Sequence, residues 1–400
     1  MYGSDAMNIH IKKFTASMFV LAITVFLISY AAYADYDVRI LVEGDELSCS
    51  QSPVIKDGVT FIPLRDVFEG VGAEVLWDND NRCAVSVEGD TVVEVYPDSG
   101  ILLKNGDKKE LPGKPFIQND KIMIPLRAVA ESFGYTVLWR GKDYTVSISR
   151  NPLLRVHFLD AGQADSIFTE LPDGKCMLID SGESSFGKEL EKFIRNLGYS
   201  HIDYVVATHP HSDHIGSMDY ILKKFSVGSF YMPNVTHTTK TFERMIDALS
   251  ENGCKCEYIE LGSKISSSPC KIEVLSPQNK EYIRMNNYSA VIKLTYENSS
   301  VLFSADAEAL AEEDMIRKNL DLSADILKIG HHGSGTSSVE NYLDKVSALD
   351  AVISVGEGNS YGFPSPIVLG HLLERGVSVH RTDLKGNITA VSDGYLCAVD

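Results

Sequence analysis

The chain is short of positive charge, of tryptophan and of long apolar runs, and each shortage narrows what it can be. Lys and Arg number 37 against 55 Asp and Glu, a formal net charge of -18. That balance repels polyanions at long range and excludes tight, nonspecific gripping of duplex DNA, although divalent ions held in a site would invert the field locally. After residue 34 nothing approaches eighteen consecutive apolar residues, so the body of the chain is expected to be soluble and no channel is expected. Seven cysteines, odd in number and scattered, exclude a disulfide framework in so long a chain. Cys254 and Cys256 form a CxC without partner ligands at metal-site spacing, so no chemistry is assigned to them. Residues 35–149 contain no histidine, which removes the commonest metal ligand from that segment.

What is present begins with a leader. Lys12 and Lys13 precede an apolar run from Met18 to Tyr30, then Ala32-Tyr33-Ala34, the small-x-small pattern of a signal-peptidase site. Cleavage after Ala34 is expected, with Met7 as an alternative start and an uncleaved anchor as the competing reading. The protein is therefore expected to be secreted or held at the cell surface. The remaining length, 44% hydrophobic and 23% charged overall, is ample for one large or two medium globular cores.

Residues 54–78 read VIKDGVTFIPLRDVFEGVGAEVLWD and residues 116–140 read FIQNDKIMIPLRAVAESFGYTVLWR. Pro63 aligns with Pro125, Arg65 with Arg127, Glu69 with Glu131, Gly72 with Gly134, and the only two tryptophans, Trp77 with Trp139, at a period of 62 residues. This is an internal duplication. Each unit predicts a strand into Ile-Pro-Leu-Arg, a short helix with apolar residues at Leu64, Val67, Phe68, Val71 or Leu126, Val129, Ala130, Phe133, a left-handed glycine cap, and a further strand. Arg65 and Arg127 are expected to pair with Glu69 and Glu131 one helical turn on.

The most chemically committed stretch is Thr208 to Gly216, THPHSDHIG, which packs His209, His211, Asp213 and His214 into six positions. With Pro210 between them, His209 and His211 cannot share a helix face, whereas an extended loop projects both to one side and grips one ion. Asp213 and His214 then point elsewhere and serve a second ion, mixing imidazole with carboxylate. The loop follows the apolar, β-branched run IDYVVA (202–207) and precedes a helical pattern, as a metal loop at a strand end should. Farther on, VLFSADAE (301–308) is a strand ending in Asp306, a rigidly held carboxylate suited to bridging two cations, with a helix expected from Ala307. ILKIGHHGSG (326–335) is a strand running into a loop whose Gly333, Ser334, Gly335 and Thr336 suit a phosphate-like oxyanion, although a simple turn uses the same residues. Asn151-Pro152 marks a hinge between the halves.

THPHSDHIG resembles the HxHxDH signature of the metallo-β-lactamase fold, a superfamily of mostly dinuclear hydrolases. Together with FLDAGQADS, IDSG, NNYSAVIKLTY, FSADAE, ILKIGHHGS, GNSYGFP and RTDLKGNI it resembles the metallo-β-lactamase domain of ComEC-like DNA-uptake proteins and their secreted relatives, over residues 152–400. Residues 35–150 resemble the copper amine oxidase N-terminal-like, or stalk, domain. The fold implied is α+β: a four-layer αββα sandwich preceded by a smaller α+β domain of two duplicated strand-helix-strand units. The resemblance implies that one of His331 and His332 binds metal while its neighbour donates to the scissile group, that Asp180 orients a ligand from behind, and that Asn287 and Ser289 lie near the site. His237, the one histidine between His214 and Asp306, is either a further ligand of the first ion or a solvated loop residue. Two departures from relatives are Ala305 where glycine is usual and Phe363 where histidine is common.

These readings converge on a secreted phosphodiesterase using two divalent metal ions, zinc or manganese, and a metal-activated hydroxide. Catalytic roles fall to Asp213, Asp306, His331 and His332, with DNA the favoured substrate. The alternatives are a cell-wall phosphodiesterase acting on phosphorylcholine or teichoic acid, with wall contact through the N-terminal domain, and a noncatalytic surface-binding protein.

Overall fold

The protein is described by a computed structural model covering residues 37–278 and 281–400. The leader expected at residues 1–34 lies outside the described residues. Among the described residues no helix is long and apolar enough to cross a membrane.

The duplication is visible as an approximate two-fold arrangement. Strands Val59–Pro63 and Lys121–Pro125, one from each unit, pair antiparallel at the centre of a sheet, Ile62 opposite Ile124, and each carries its own hairpin partner outside, Val54–Lys56 or Phe116–Gln118. Each central strand runs into a short helix, Leu64–Gly70 or Leu126–Ser132, whose apolar stripe is buried. Gly72 and Gly134 follow at φ +77° and +83°, a region glycine enters without the Cβ clash. Phe68 and Phe133 meet edge-on at 5.7 Å and join the two helices. The domain is richer in strand than two strand-helix-strand units imply: residues 74–110 form a five-stranded meander, and Arg39–Val42 adds in parallel to Thr145–Ser149. The alternating run TVVEVY (91–96) carries this signal, because every second side chain must be apolar where one sheet face is covered.

Beyond residue 153 two sheets stack face to face. The first runs from Lys255–Tyr258 at one edge through Ser226–Met232, His201–Val206, Cys176–Ser181, Ser166–Glu170 and Leu154–Phe158 to Ile388–Ser392 and Cys397–Val399. The second orders Lys264–Ser267, Cys270–Ser276, Val291–Tyr296, Ser299–Phe303, Ile326–Lys328, Asp350–Ile353 and Ser378–Arg381. Phe158, Met177, Val206, Ile272, Ile292 and Phe303 fill the space between them, each such side chain contributing about 1.5–3 kcal/mol on burial. Helices Gly187–Asn196, Met218–Lys224 and Lys240–Asn252 cover the outside of the first sheet, and Ala309–Arg317, Glu340–Val346 and Pro366–Glu374 cover the second. This is the expected αββα sandwich. Strands covered on both faces, such as Cys176–Ser181, are buried throughout and so read as unbroken apolar runs rather than alternating ones.

The sandwich positions the site through strand direction. Cys176–Ser181 runs parallel to His201–Val206, and Ser299–Phe303 runs parallel to Ile326–Lys328. The chain leaves these strands at their C-terminal ends, so the segments carrying Asp180, His209 to His214, Asp306 and His331-His332 emerge together. The two halves of the chain touch through the Arg140 guanidinium on the Cys397 carbonyl at 3.5 Å and Lys142 on the Leu349 carbonyl.

Candidate metal centre

Among the described residues, three groups of metal-capable side chains converge at this edge, and two of them share a carboxylate; the third, Asp165, Asp180 and His214, lies behind. His209, His211 and Asp306 form one; Asp213, His214, Asp306 and His332 form the other, with the ligand atoms of each group lying within 4.8 Å of one another. Asp306 belongs to both. Its Oδ2 stands 3.8 Å from His209 Nε2, while its Oδ1 stands 3.2 Å from His214 Nε2 and 3.8 Å from His332 Nε2. One carboxylate thus turns one oxygen toward each group.

Three of the imidazoles are engaged on their far side. His214 Nδ1 lies 2.7 Å from Asp180, whose carboxylate also accepts from the Thr208 amide at 2.8 Å and hydroxyl at 2.6 Å. Because the Thr208 proton is committed to Asp180, its oxygen accepts from His209 Nδ1 at 3.2 Å. His332 Nδ1 donates to the Ser354 carbonyl at 2.9 Å. Each contact commits Nδ1 and turns Nε2 toward the cluster, the atom a metal would take in place of a proton. His214 Nε2, His332 Nε2 and Asp306 Oδ1 are buried without a hydrogen-bond partner. Buried polar atoms left without a partner are costly. Mixed imidazole and carboxylate donors converging in this way fit divalent cations, and the shared carboxylate fits a pair of them.

Charge in the cluster follows from burial and proximity. Burial pushes the His209 pKa well below the usual histidine value, helped by the neighbouring His214, and burial lowers His211 too. Burial also disfavours charge on His214 and His332, but carboxylates outweigh it. Asp306, Asp180 and Asp213 hold His214 well above its ordinary value, and Asp306 with Asp165 holds His332 at about 10. Conversely, Asp306 stays well below the carboxylate range despite burial because His214 and His332 face it, and His214 keeps Asp213 at about 2 against its own desolvation.

Four residues of the site have strained backbone. Asp180, Ala305, His331 and His332 all take positive φ, between +46° and +57°. Such conformations cost about 1–3 kcal/mol each in non-glycine residues and persist where surroundings enforce them. The resemblance implies glycine at position 305, and the left-handed φ of +46° at Ala305 is one that glycine adopts without Cβ strain.

The other residues named from the sequence fall as follows. Of the histidine pair, His332 is the one inside a ligand group. His331 stands outside both groups but beside them, its Nε2 3.7 Å from Asp306 Oδ2, its Nδ1 3.2 Å from Thr336 and Asn286 3.4 Å from its ring. His237 joins neither group: its Nδ1 bonds the Thr239 hydroxyl at 3.1 Å, at the cap of the helix Lys240–Asn252, and its ring meets His211 edge-on at 5.9 Å. Asn287 faces away, accepting from the Ala311 amide at 3.2 Å, so it ties down the helix Ala309–Arg317 instead of lining the site. That helix begins at Ala309, with Glu308 at its cap position rather than in its first turn. Ser289 does lie under the site, accepting from the Asp306 amide at 3.3 Å. Ser334 and Thr336 hydroxyls are 3.0 Å apart, and Thr336 reaches Glu308 at 3.2 Å.

Four residues escaped the sequence reading. Asp165 is buried with Lys328 at 2.8 Å, and its other oxygen is 3.4 Å from His332 Nδ1. A lysine inside the apolar run ILKIG was the available signal, since a cation in a strand covered on both faces must have a partner. Asn286 stands beside His331, where its neighbour Asn287 had been expected. Arg284, two-thirds exposed, is held at 3.2 Å by Glu308, which also lies 3.8 Å from His331.

The αββα sandwich, with its paired histidine-aspartate cradle at one edge, has the architecture of the metallo-β-lactamase fold. In sequence, residues 159–266 match the family described as the metallo-beta-lactamase superfamily, and residues 41–148 match the copper amine oxidase N-terminal domain. Competence proteins are among its relatives. It is 28% identical to ComE operon protein 3 of Bacillus subtilis over 58% of this chain and 32% of that protein. It is 29% identical to Recombination protein 2 of Haemophilus influenzae over 69% of this chain and 33% of that protein. The chain therefore spans about a third of the length of the curated relatives it matches. Similar solved structures include the metallo-beta-lactamase fold protein YhfI from Bacillus subtilis, 12% identical with a TM-score of 0.42 over 57% of this chain and 96% of that one. Another is CmlA, a diiron beta-hydroxylase from Streptomyces venezuelae, 14% identical with a TM-score of 0.42 over 79% and 75%.

Proposed function

We propose that the protein is a secreted or surface-held phosphodiesterase that uses two divalent metal ions, zinc or manganese, with nucleic acid its favoured substrate. The observation that carries this reading is Asp306, one carboxylate whose two oxygens face two separate ligand groups. Two ions there would supply phosphoryl polarisation and an ionised water at neutral pH. The chain's own residues do the rest. His209 and His211 would hold one ion, Asp213, His214 and His332 the other, and Asp306 would fix their separation. Asp180, Thr208 and the Ser354 carbonyl keep three imidazoles turned with Nε2 toward the cluster. At the rim His331, with Asn286 and Thr336 beside it, is placed to give a proton to a departing oxygen, and the Arg284 guanidinium offers the phosphodiester a counter-charge. The competence relatives favour DNA; the N-terminal domain keeps a cell-wall phosphodiester as the second reading.

Asp213→Ala and His211→Ala should each abolish metal-dependent turnover of bis-p-nitrophenyl phosphate and of labelled single-stranded DNA. An unchanged rate in either variant contradicts the assignment. Cleavage of choline-substituted wall polymer with DNA left intact would select the second reading.

A further inference from the structure

The N-terminal domain contains two grooves of about 480 and 520 Å³, within the range of ordinary ligand sites, and they are copies of each other. Pro63, Arg65 and Trp77 line one; Pro125, Arg127 and Trp139 line the other, each at the 62-residue period of the duplication. The wall opposite is in each case the hairpin tip of the other unit, Asp120 and Lys121 facing Trp77, Gly58 and Val59 facing Trp139. Each groove therefore needs both units, and the pseudo-two-fold pairing of the central strands makes two of them. Trp77 remains 43% exposed and its neighbour Leu76 73%, a large apolar surface for a folded chain to leave in water.

We infer that these paired grooves bind a neutral, repeating polysaccharide, one stretch of sugar ring against each indole, and anchor the enzyme to a glycan matrix. An indole beside a guanidinium presents a flat apolar face with donors at its edge, which suits the apolar faces and hydroxyl rims of pyranose rings. Two equivalent sites on one rigid body suit a ligand whose own units repeat, because the second contact is then intramolecular. A polyanion is disfavoured by the net charge of -18 and by the groove of Trp77, where Asp66, Glu69 and Asp120 outnumber Arg65 and Lys121. A polypeptide strand is disfavoured because the walls are turn tips, with Asp57, Gly58, Asn119 and Asp120 at positive φ, and helix starts, which offer no ladder to extend. The inference rests on the N-terminal domain alone, so its failure leaves the metal-centre reading untouched.

The chain has two tryptophans, one in each groove, so intrinsic fluorescence reports directly on the sites. Titrating the full chain with N-acetylglucosamine oligomers, and with wall glycan strands stripped of anionic polymer, should give a saturable emission change. Long strands should bind at least about 100-fold more tightly than short oligomers. Trp77→Ala or Trp139→Ala should each remove that advantage in a sedimentation assay, and the double variant should abolish binding with its melting curve retained. Should either alanine variant misfold, the Phe replacements and the Arg65→Ala, Arg127→Ala pair take their place. The Phe variants should bind within about tenfold of the parent and the arginine pair should lose about tenfold. Constant emission with either glycan, binding that survives loss of both indoles, or a preference for proline-rich peptide or anionic wall polymer over neutral glycan would overturn the proposal.

Discussion

Lys328 has its whole side chain out of water, with Asp165 as its counter-ion and the Ile329 carbonyl accepting a second bond at 2.9 Å. Lys328 draws the Asp165 carboxyl well below its usual range despite complete burial, and Asp165 in turn supports His332. Lys328→Met would strand that carboxylate, and breaking one partner of a buried pair costs about 3–5 kcal/mol. Urea denaturation should register a loss of that size together with weaker metal retention; a loss below about 1 kcal/mol would show that the pair is not doing this structural work. Ala305 makes the opposite prediction. Its left-handed conformation carries about 1–2 kcal/mol of Cβ strain that glycine lacks. Ala305→Gly should therefore raise stability by roughly 0.5–1 kcal/mol after the greater chain entropy of glycine is subtracted. A destabilised variant in the same denaturation assay would mean that the residue is not strained.

Among the elements, the helix Ala309–Arg317 links the strand-end carboxylate to the histidine loop. Its Glu312 is buried, accepts from the Ser338 and Val339 amides at 2.6 and 3.0 Å, and is pushed up to about 8 by desolvation. The folded state therefore prefers Glu312 protonated. Its contribution is fully present below its ordinary pKa of 4.5 and is lost as pH rises through about 8. Glu312→Gln, which cannot titrate, should gain stability relative to the parent between pH 5 and pH 9 when melts are compared across that window. A constant difference would contradict the shifted titration. The same elements show what sequence can and cannot reveal. The apolar runs 202–207, 301–303 and 326–329 announced buried strands, and the polar residues that follow them announced the site, because strand-end loops of a doubly covered sheet have one edge on which to meet. The choice between His331 and His332 was not legible, since it is made by the Ser354 carbonyl and by Asp165, distant in sequence. Asn286 and Asn287 were equally indistinguishable until the helix at residue 309 claimed one of them through the Ala311 amide.

Across the whole molecule the acidic balance and the paired cradle pull in opposite directions on an anionic substrate. Screening weakens the repulsion between distant charges but leaves buried contacts intact. If DNA is the substrate, kcat/KM on single-stranded DNA should rise as salt goes from about 10 to 150 mM, where the Debye length shrinks from about 30 to 8 Å, while turnover of bis-p-nitrophenyl phosphate changes little. A steep fall with salt would instead indicate a basic track that this surface does not suggest. The duplication and the two-domain division could be read from Pro63 with Pro125 and Trp77 with Trp139. The grooves could not, because each is assembled from both copies and exists only once the strands Val59–Pro63 and Lys121–Pro125 pair.

Anomalous diffraction from metal-loaded crystals tests the central claim most directly. Two peaks are predicted, one bounded by His209, His211 and Asp306, the other by Asp213, His214, Asp306 and His332. A single ion, a pair not shared by Asp306, or coordination by His331 in place of His332 would contradict the account.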